Sequence, residues 1–136
     1  MKKIGLVVSE FNSGITLKML SAAEARAKKL GLHAVRTIRV AGAFDMPLAI
    51  KSLLERSDVE GVATIGAIIK GDTLHDEVIA HALANSIHDL QLRFNKPVTL
   101  GVSGPGMTEK QAMDRAEEYG ERSVEALAKL LEALEK

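Results

Sequence analysis

Val59-Glu60-Gly61-Val62-Ala63-Thr64-Ile65-Gly66-Ala67-Ile68-Ile69-Lys70-Gly71-Asp72-Thr73-Leu74-His75 is the passage that decides the fold. From Val59 to Ile69 the only polar side chains are Glu60 and Thr64. A run that is apolar on both faces suits a central strand of a parallel sheet. Gly71-Asp72-Thr73 then breaks the strand, and Asp72 or Thr73 can cap a helix predicted from about Leu74 to Arg93. Strand, tight turn and helix in this order form the repeating unit of an α/β fold.

The same unit recurs on both sides. Ile4-Gly5-Leu6-Val7-Val8 reads as a buried strand. Asn12-Ser13-Gly14 offers capping side chains for a helix from about Ile15 to Leu30, and Gly31 stops it. Ala34 to Val40 alternates apolar residues with Arg36 and Arg39 as a second strand. After Ala41-Gly42-Ala43, Pro47 sits in the first turn of a helix to about Arg56. Pro97 to Val102 is the fourth strand, Gly104-Pro105-Gly106 a loop, and Thr108 with Gln111 a capping box for one long helix to about Leu134. The pattern predicts a single domain over residues 1–136. Its class is α/β: a three-layer α/β/α sandwich on a four-stranded parallel sheet of flavodoxin-like order.

Composition narrows the function. The chain has 136 residues, 18 Lys and Arg against 18 Asp and Glu, and no cysteine. No thiol nucleophile, disulfide scaffold or cysteine-based metal centre is available. Electrical neutrality argues against a dedicated nucleic-acid binder. No apolar run approaches the ~18 residues of a membrane span. Ser9, Glu10 and Asn12 interrupt what would be the apolar part of a signal peptide behind Lys2 and Lys3. The neutrality is unevenly distributed. Residues 1–40 carry eight basic and two acidic side chains, a balance of +6, and residues 41–136 carry ten and sixteen, a balance of −6. This fits either oppositely charged faces that attract within the chain or across subunits, or ordinary variation of the surface.

In doubly wound sheets ligands bind beyond the carboxyl ends of the strands, and four turns gather there: residues 9–14, 41–47, 70–75 and 103–108. Gly71-Asp72-Thr73 at a helix start can hold an anion through free N–H groups, or can be a plain capped turn. Neither GxxxxGK[ST] nor GxGxxG is present. His75 falls at the N-terminal end of a stripe formed by Val78, Ile79, Ala82, Leu83, Ser86, Ile87 and Leu90, so it is expected over the sheet edge, where an imidazole can move protons or simply bond a turn carbonyl. Phe11 and Phe44 each follow a strand and can stack on a planar ligand or serve as core. Asp45 can accept hydrogen bonds from a ligand or cap the next helix. Arg115 can pair with a phosphate or stay solvated. Glu77 and His81 have an i,i+4 metal spacing but lack a convincing third ligand, which favours an exposed ion pair.

Four ordered blocks carry a family resemblance. They are Glu10-Phe11-Asn12, Ala41-Gly42-Ala43-Phe44-Asp45-Met46-Pro47, Gly66 through His75, and Gln111-Ala112-Met113-Asp114-Arg115-Ala116. Together, over nearly the whole chain, they resemble the 6,7-dimethyl-8-ribityllumazine synthases of riboflavin biosynthesis. His75-Asp76-Glu77 and Ser103 through Thr108 look more like the archaeal branch than the bacterial one. The resemblance implies an enzyme that condenses 5-amino-6-(D-ribitylamino)uracil with 3,4-dihydroxy-2-butanone 4-phosphate, releasing phosphate and water, with no cofactor and no metal. It implies that Phe11 stacks on the pyrimidine, that Ala43, Phe44 and Asp45 hold the ribityl chain, and that Ile68 and Ile69 border the heterocycle. Gly71, Asp72 and Thr73 would bind phosphate, Arg115 would complete that site from an adjacent subunit, and His75 would transfer protons.

The resemblance further implies a cytoplasmic homo-pentamer, which some members assemble into a sixty-subunit shell, and riboflavin synthase as a partner. Neither a membrane nor a nucleic acid is involved. Two other activities share the scaffold: an archaeal-type riboflavin synthase and a non-catalytic shell protein. The intact phosphate block argues against the first. Departures from the family pattern are Ala41 for proline, Asp45 for glutamate, Leu100 for a second aromatic against the ligand, and Asp76 for an aromatic after the histidine.

Overall fold

A computed structural model describes residues 1–135. The elements run β1 (Lys2–Ser9), α1 (Ser13–Lys29), β2 (Leu32–Val40), a 3-10 turn at Ala43–Asp45, α2 (Met46–Leu54) and β3 (Gly61–Ile69). They continue with α3 (His75–Phe94), β4 (Val98–Thr99), β5 (Val102–Met107), α4 (Glu109–Asp114) and α5 (Ala116–Ala133). The sheet is parallel in the order β2-β1-β3-β4, and β5 continues beside β3 beyond β4. This is the flavodoxin-like order.

Alternation along the two central strands divides the core into two layers. Ile4, Leu6 and Val8 of β1, with Ala63, Ile65 and Ala67 of β3, pack under α1 and α5. Val7 and Val62 face the other way, against Met46, Ile50 and Leu53 of α2 and Leu83, Ile87 and Leu90 of α3. The charge imbalance is resolved largely between α1 and α5. Lys18 lies 3.8 Å from Glu117 and Arg26 lies 3.6 Å from Glu125, the same offset along two parallel helices. Lys2 pairs with Glu135. The hydrogen bond that Lys2 donates to Glu135 raises the pKa of its ammonium above the ordinary value. Exposed pairs of this kind contribute little individually and orient the layer more than they stabilise it.

Three sequence expectations are corrected. The fourth strand is not continuous. Thr64 Oγ1 donates to the Thr99 carbonyl at 2.7 Å and accepts from Gly101 N–H at 3.0 Å. Ser123 Oγ donates to the Thr64 carbonyl at 2.8 Å and lies 2.9 Å from Thr99 Oγ1. These buried hydroxyls take over backbone partners and divide β4 from β5. Gly101 is required there, because a Cβ would lie 2.2 Å from the Thr64 carbonyl oxygen.

Gly104-Pro105-Gly106 is not a free loop but a bulge inside β5. The ladder with β3 pairs Ala67 with Ser103 and resumes at Ile69 with Met107. Finally, the last helix is two helices. Arg115 leaves helical geometry at φ −107° and ψ 7°, with no Gly or Pro in residues 109–116 to mark the break. The capping box is formed as expected: Thr108 Oγ1 accepts from Gln111 N–H at 3.2 Å, and Gln111 Oε1 accepts from Thr108 N–H at 2.9 Å.

Candidate active site

The carboxyl ends of β1 and β3, the turn after β2 and the first turns of α3 enclose an open cleft of about 710 Å³. Its size suits a ligand or ligand pair of drug-like dimensions. Phe11, Ala43, Phe44, Asp45, Ile68, Ile69, Gly71, Thr73 and His75 line it. These are nine of the eleven residues singled out from the sequence. Asp72 stands in the turn but outside the lining, and Arg115 is exposed in the opposite helical layer, at the α4–α5 junction. The chain's own cleft therefore does not bring Arg115 together with the other candidates. Leu100 is also outside the lining and 51% exposed.

Phe11 is placed by its neighbours. Asn12 takes a left-handed backbone conformation at φ 63°. Its side chain does not cap α1. Instead Nδ2 donates to the Ala67 carbonyl at 3.3 Å and ties the end of β1 to β3. The Phe11 ring lies against Gly42, where a Cβ would meet its edge at 2.9 Å. The ring is nevertheless 68% exposed, so the core gains little from it and its face is free for a ligand. Asp45 does not cap α2 with its side chain; Oδ2 accepts from Gly42 N–H at 3.0 Å. One oxygen is thus anchored and the carboxylate is oriented at the cleft wall.

The turn before α3 is open. A Cβ at Gly71 would meet nothing within 4 Å. Thr73 Oγ1 accepts from His75 N–H at 3.3 Å, so Thr73 and not Asp72 supports the helix start. His75 is exposed at the cleft. The buried stripe of α3 begins differently from the sequence expectation. Val78 is 61% exposed and lines the cleft, because the first turns of α3 overhang the sheet edge. The stripe instead starts at Asp76 and continues through Leu83, Ile87 and Leu90. Glu77 and His81 are exposed and form no ion pair among the described residues. No third metal-ligating side chain joins them among the described residues.

Six further lining residues escaped the sequence reading: Asn12, Gly42, Ala67, Asp76, Val78 and Ile79. Gly42 carried a usable signal, because a glycine between two small residues after a strand permits close approach of a side chain. Among the described residues, the cleft lining holds two carboxylates, one imidazole and no lysine or arginine.

The comparisons agree along the whole chain. The family described as 6,7-dimethyl-8-ribityllumazine synthase matches residues 1–135. A protein of that name from Methanocaldococcus jannaschii is 51% identical over 134 residues, 98% of this chain and 94% of the relative. One from Metallosphaera sedula is 52% identical over 128 residues, covering 94% and 85% of the two chains. One from Staphylothermus marinus is 47% identical over 131 residues, covering 96% and 87%. A flavodoxin-like sheet with its cleft at the strand ends, joined to matches of this length and identity, means that the chain belongs to the 6,7-dimethyl-8-ribityllumazine synthase family.

Proposed function

We propose that this cleft performs the family's condensation with its own residues in defined roles. The observation that carries the assignment is the convergence of an exposed aromatic face, an oriented carboxylate and a proton carrier around one cavity. A uracil ring suits the face of Phe11. The ribityl hydroxyls suit the free oxygen of Asp45 and the backbone at Ala43 and Phe44. Ile68 and Ile69 give the heterocycle an apolar border.

The phosphorylated ketone lies at Gly71-Asp72-Thr73, where helix-terminal N–H groups donate to phosphate. The 5-amino nitrogen attacks the ketone carbon, and loss of water forms the imine. A proton leaves the adjacent carbon as phosphate departs. After tautomerisation, the ribitylamino nitrogen attacks the new carbonyl and a second water leaves. His75 carries protons between these steps, and holding the two substrates together supplies much of the acceleration.

The lining has no lysine or arginine, yet a departing phosphate needs a cation. This supports a site shared between subunits, in which Arg115 of an adjacent copy reaches the turn. The same reading makes the enzyme a homo-pentamer working in the cytoplasm alongside riboflavin synthase.

The test is the two-substrate assay, which should yield a fluorescent lumazine with one phosphate released per product. Absence of product at high enzyme concentration overturns the reaction. Solution mass tests the assembly separately: roughly five subunits for the pentamer, roughly sixty for a shell, with a monomer overturning the shared site.

A further inference from the structure

Asp76 is only 6% exposed although it stands beside the exposed His75. Burying a carboxylate is unfavourable unless hydrogen bonds and charge compensate. Two features compensate here. Asp76 lies in the first turn of α3, where the helix dipole favours negative charge. Its Oδ2 also accepts the Gly106 N–H at 2.9 Å.

That amide belongs to the β5 bulge. Between the pairs Ala67–Ser103 and Ile69–Met107, β3 advances two residues while β5 advances four. The extra length arches over Ile68. A Cβ at Gly104 would lie 2.4 Å from the Ile68 carbonyl oxygen, so the arch rests directly on the cleft floor. Gly106 holds φ +76°, a conformation that favours glycine. Just beyond the arch, the Met107 carbonyl accepts from Lys70 N–H at 2.8 Å, at the root of the turn that leads to His75.

We propose that Asp76 is a positioning residue for the condensation: its buried hydrogen bond to Gly106 locks the first turn of α3, the 70–75 turn and the Ile68 floor into one rigid unit. The proposal rests on the condensation reading for its kinetic consequence, but not for the clamp itself. With the clamp intact, the N–H groups facing the phosphorylated substrate keep a fixed distance from the floor under the heterocycle. Without it, the arch and the helix start move independently.

Three variants test this: Asp76→Ala removes the acceptor, Asp76→Ser keeps a helix-starting residue with too short a reach, and Asp76→Asn keeps an acceptor oxygen without the charge. Hydrogen–deuterium exchange of the peptide spanning residues 103–108 should speed up in the Ala and Ser variants and stay near parent in the Asn variant. The KM for the phosphorylated substrate should rise about tenfold in Ala and Ser, with the pyrimidine KM little changed and the Asn variant close to parent. Unchanged exchange at 103–108 in both Ala and Ser variants overturns the clamp. Faster exchange with a parent-like KM overturns the positioning role, as does an Asn variant as impaired as Ala. Turnover by the parent enzyme in the same assay separates these failures from failure of the condensation reading.

Discussion

Replacing Gly120 by alanine should destabilise the protein, although the same change in an exposed helix stabilises it. Gly120 is buried in α5 where that helix crosses α1. A Cβ there would lie 2.2 Å from the Met19 carbonyl oxygen and 2.9 Å from its carbon. Ordinary contact begins near 3.4 Å, so the helices must separate by about 1.2 Å. The obstacle is backbone, which no rotamer change can move aside. Met19, Ala23, Val124 and Leu127 fill this interface, and a gap of ~0.5–1 Å forfeits a quarter to a half of each dispersion contact. Overpacking of this severity belongs near the upper end of the usual range, about 3 kcal/mol. The helix propensity of alanine returns about 1 kcal/mol. The net is a loss of about 2 kcal/mol, which lowers a urea midpoint by about 1 M for an m-value near ~1.5–2 kcal/mol/M. Parent and variant must be compared at one protein concentration, so that any contribution of subunit association is the same in both. A Gly120→Ala midpoint equal to or above the parent's would refute the reasoning.

Phe11→Leu keeps an apolar side chain but removes the flat face, and stacking on a base contributes ~1–3 kcal/mol. Its KM for the pyrimidine substrate should rise about tenfold with little change in melting temperature; an unchanged KM removes Phe11 from the site. Co-refolding His75→Ala subunits with Arg115→Ala subunits should restore activity at about a quarter of the sites if each site draws those residues from two neighbours. Restoration no greater than the mean of the two separate variants would place both residues in one chain's site. Arg56 grips Asp58 through two hydrogen bonds of 3.0 and 2.9 Å and holds its carboxyl below the usual value. A lowered carboxyl contributes stability at pH values above its unfolded value, near ~3.9, and loses it as the pH falls through the folded one. The stability difference between parent and Asp58→Asn should therefore be largest near pH 6 and shrink below about pH 4; a pH-independent difference contradicts the sign.

The layered sheet was legible because its signals are local. Val59 to Ile69 is apolar on both faces, and each turn carries Gly or a capping side chain. What escaped has tertiary causes. Gly101 alone does not announce a strand break, because the hydroxyls that cause it come from Thr64 on β3 and Ser123 on α5. Gly-Pro-Gly at 104–106 reads as a loop, and its inclusion in β5 depends on the facing strand. Helical spacing put Val78 in the core stripe, but spacing cannot show that the sheet ends beneath it. The burial of Asp76 was not legible, because its partner amide is thirty residues away. The charge division was visible as a number, while its pairing of α1 with α5 required the packing of two helices from opposite ends of the chain.

The electrostatics of the cleft bring these points together. An exposed aromatic face and an anchored Asp45 are sufficient for a neutral ring bearing a polyol. For the phosphorylated substrate of the proposed reaction they are insufficient, since among the described residues the lining presents Asp45 and Asp76 and no lysine or arginine. Two devices relieve the conflict. The Asp76 carboxylate is turned into a backbone hydrogen bond and buried, so its charge is compensated by the Gly106 amide and the helix start. Under the shared-site proposal the missing cation is Arg115 of a second copy, which is exposed at the α4–α5 junction where the backbone leaves helical geometry. On this argument association is part of the chemistry. Under that proposal a lone chain seats the pyrimidine but lacks the positive charge that stabilises phosphate as it leaves.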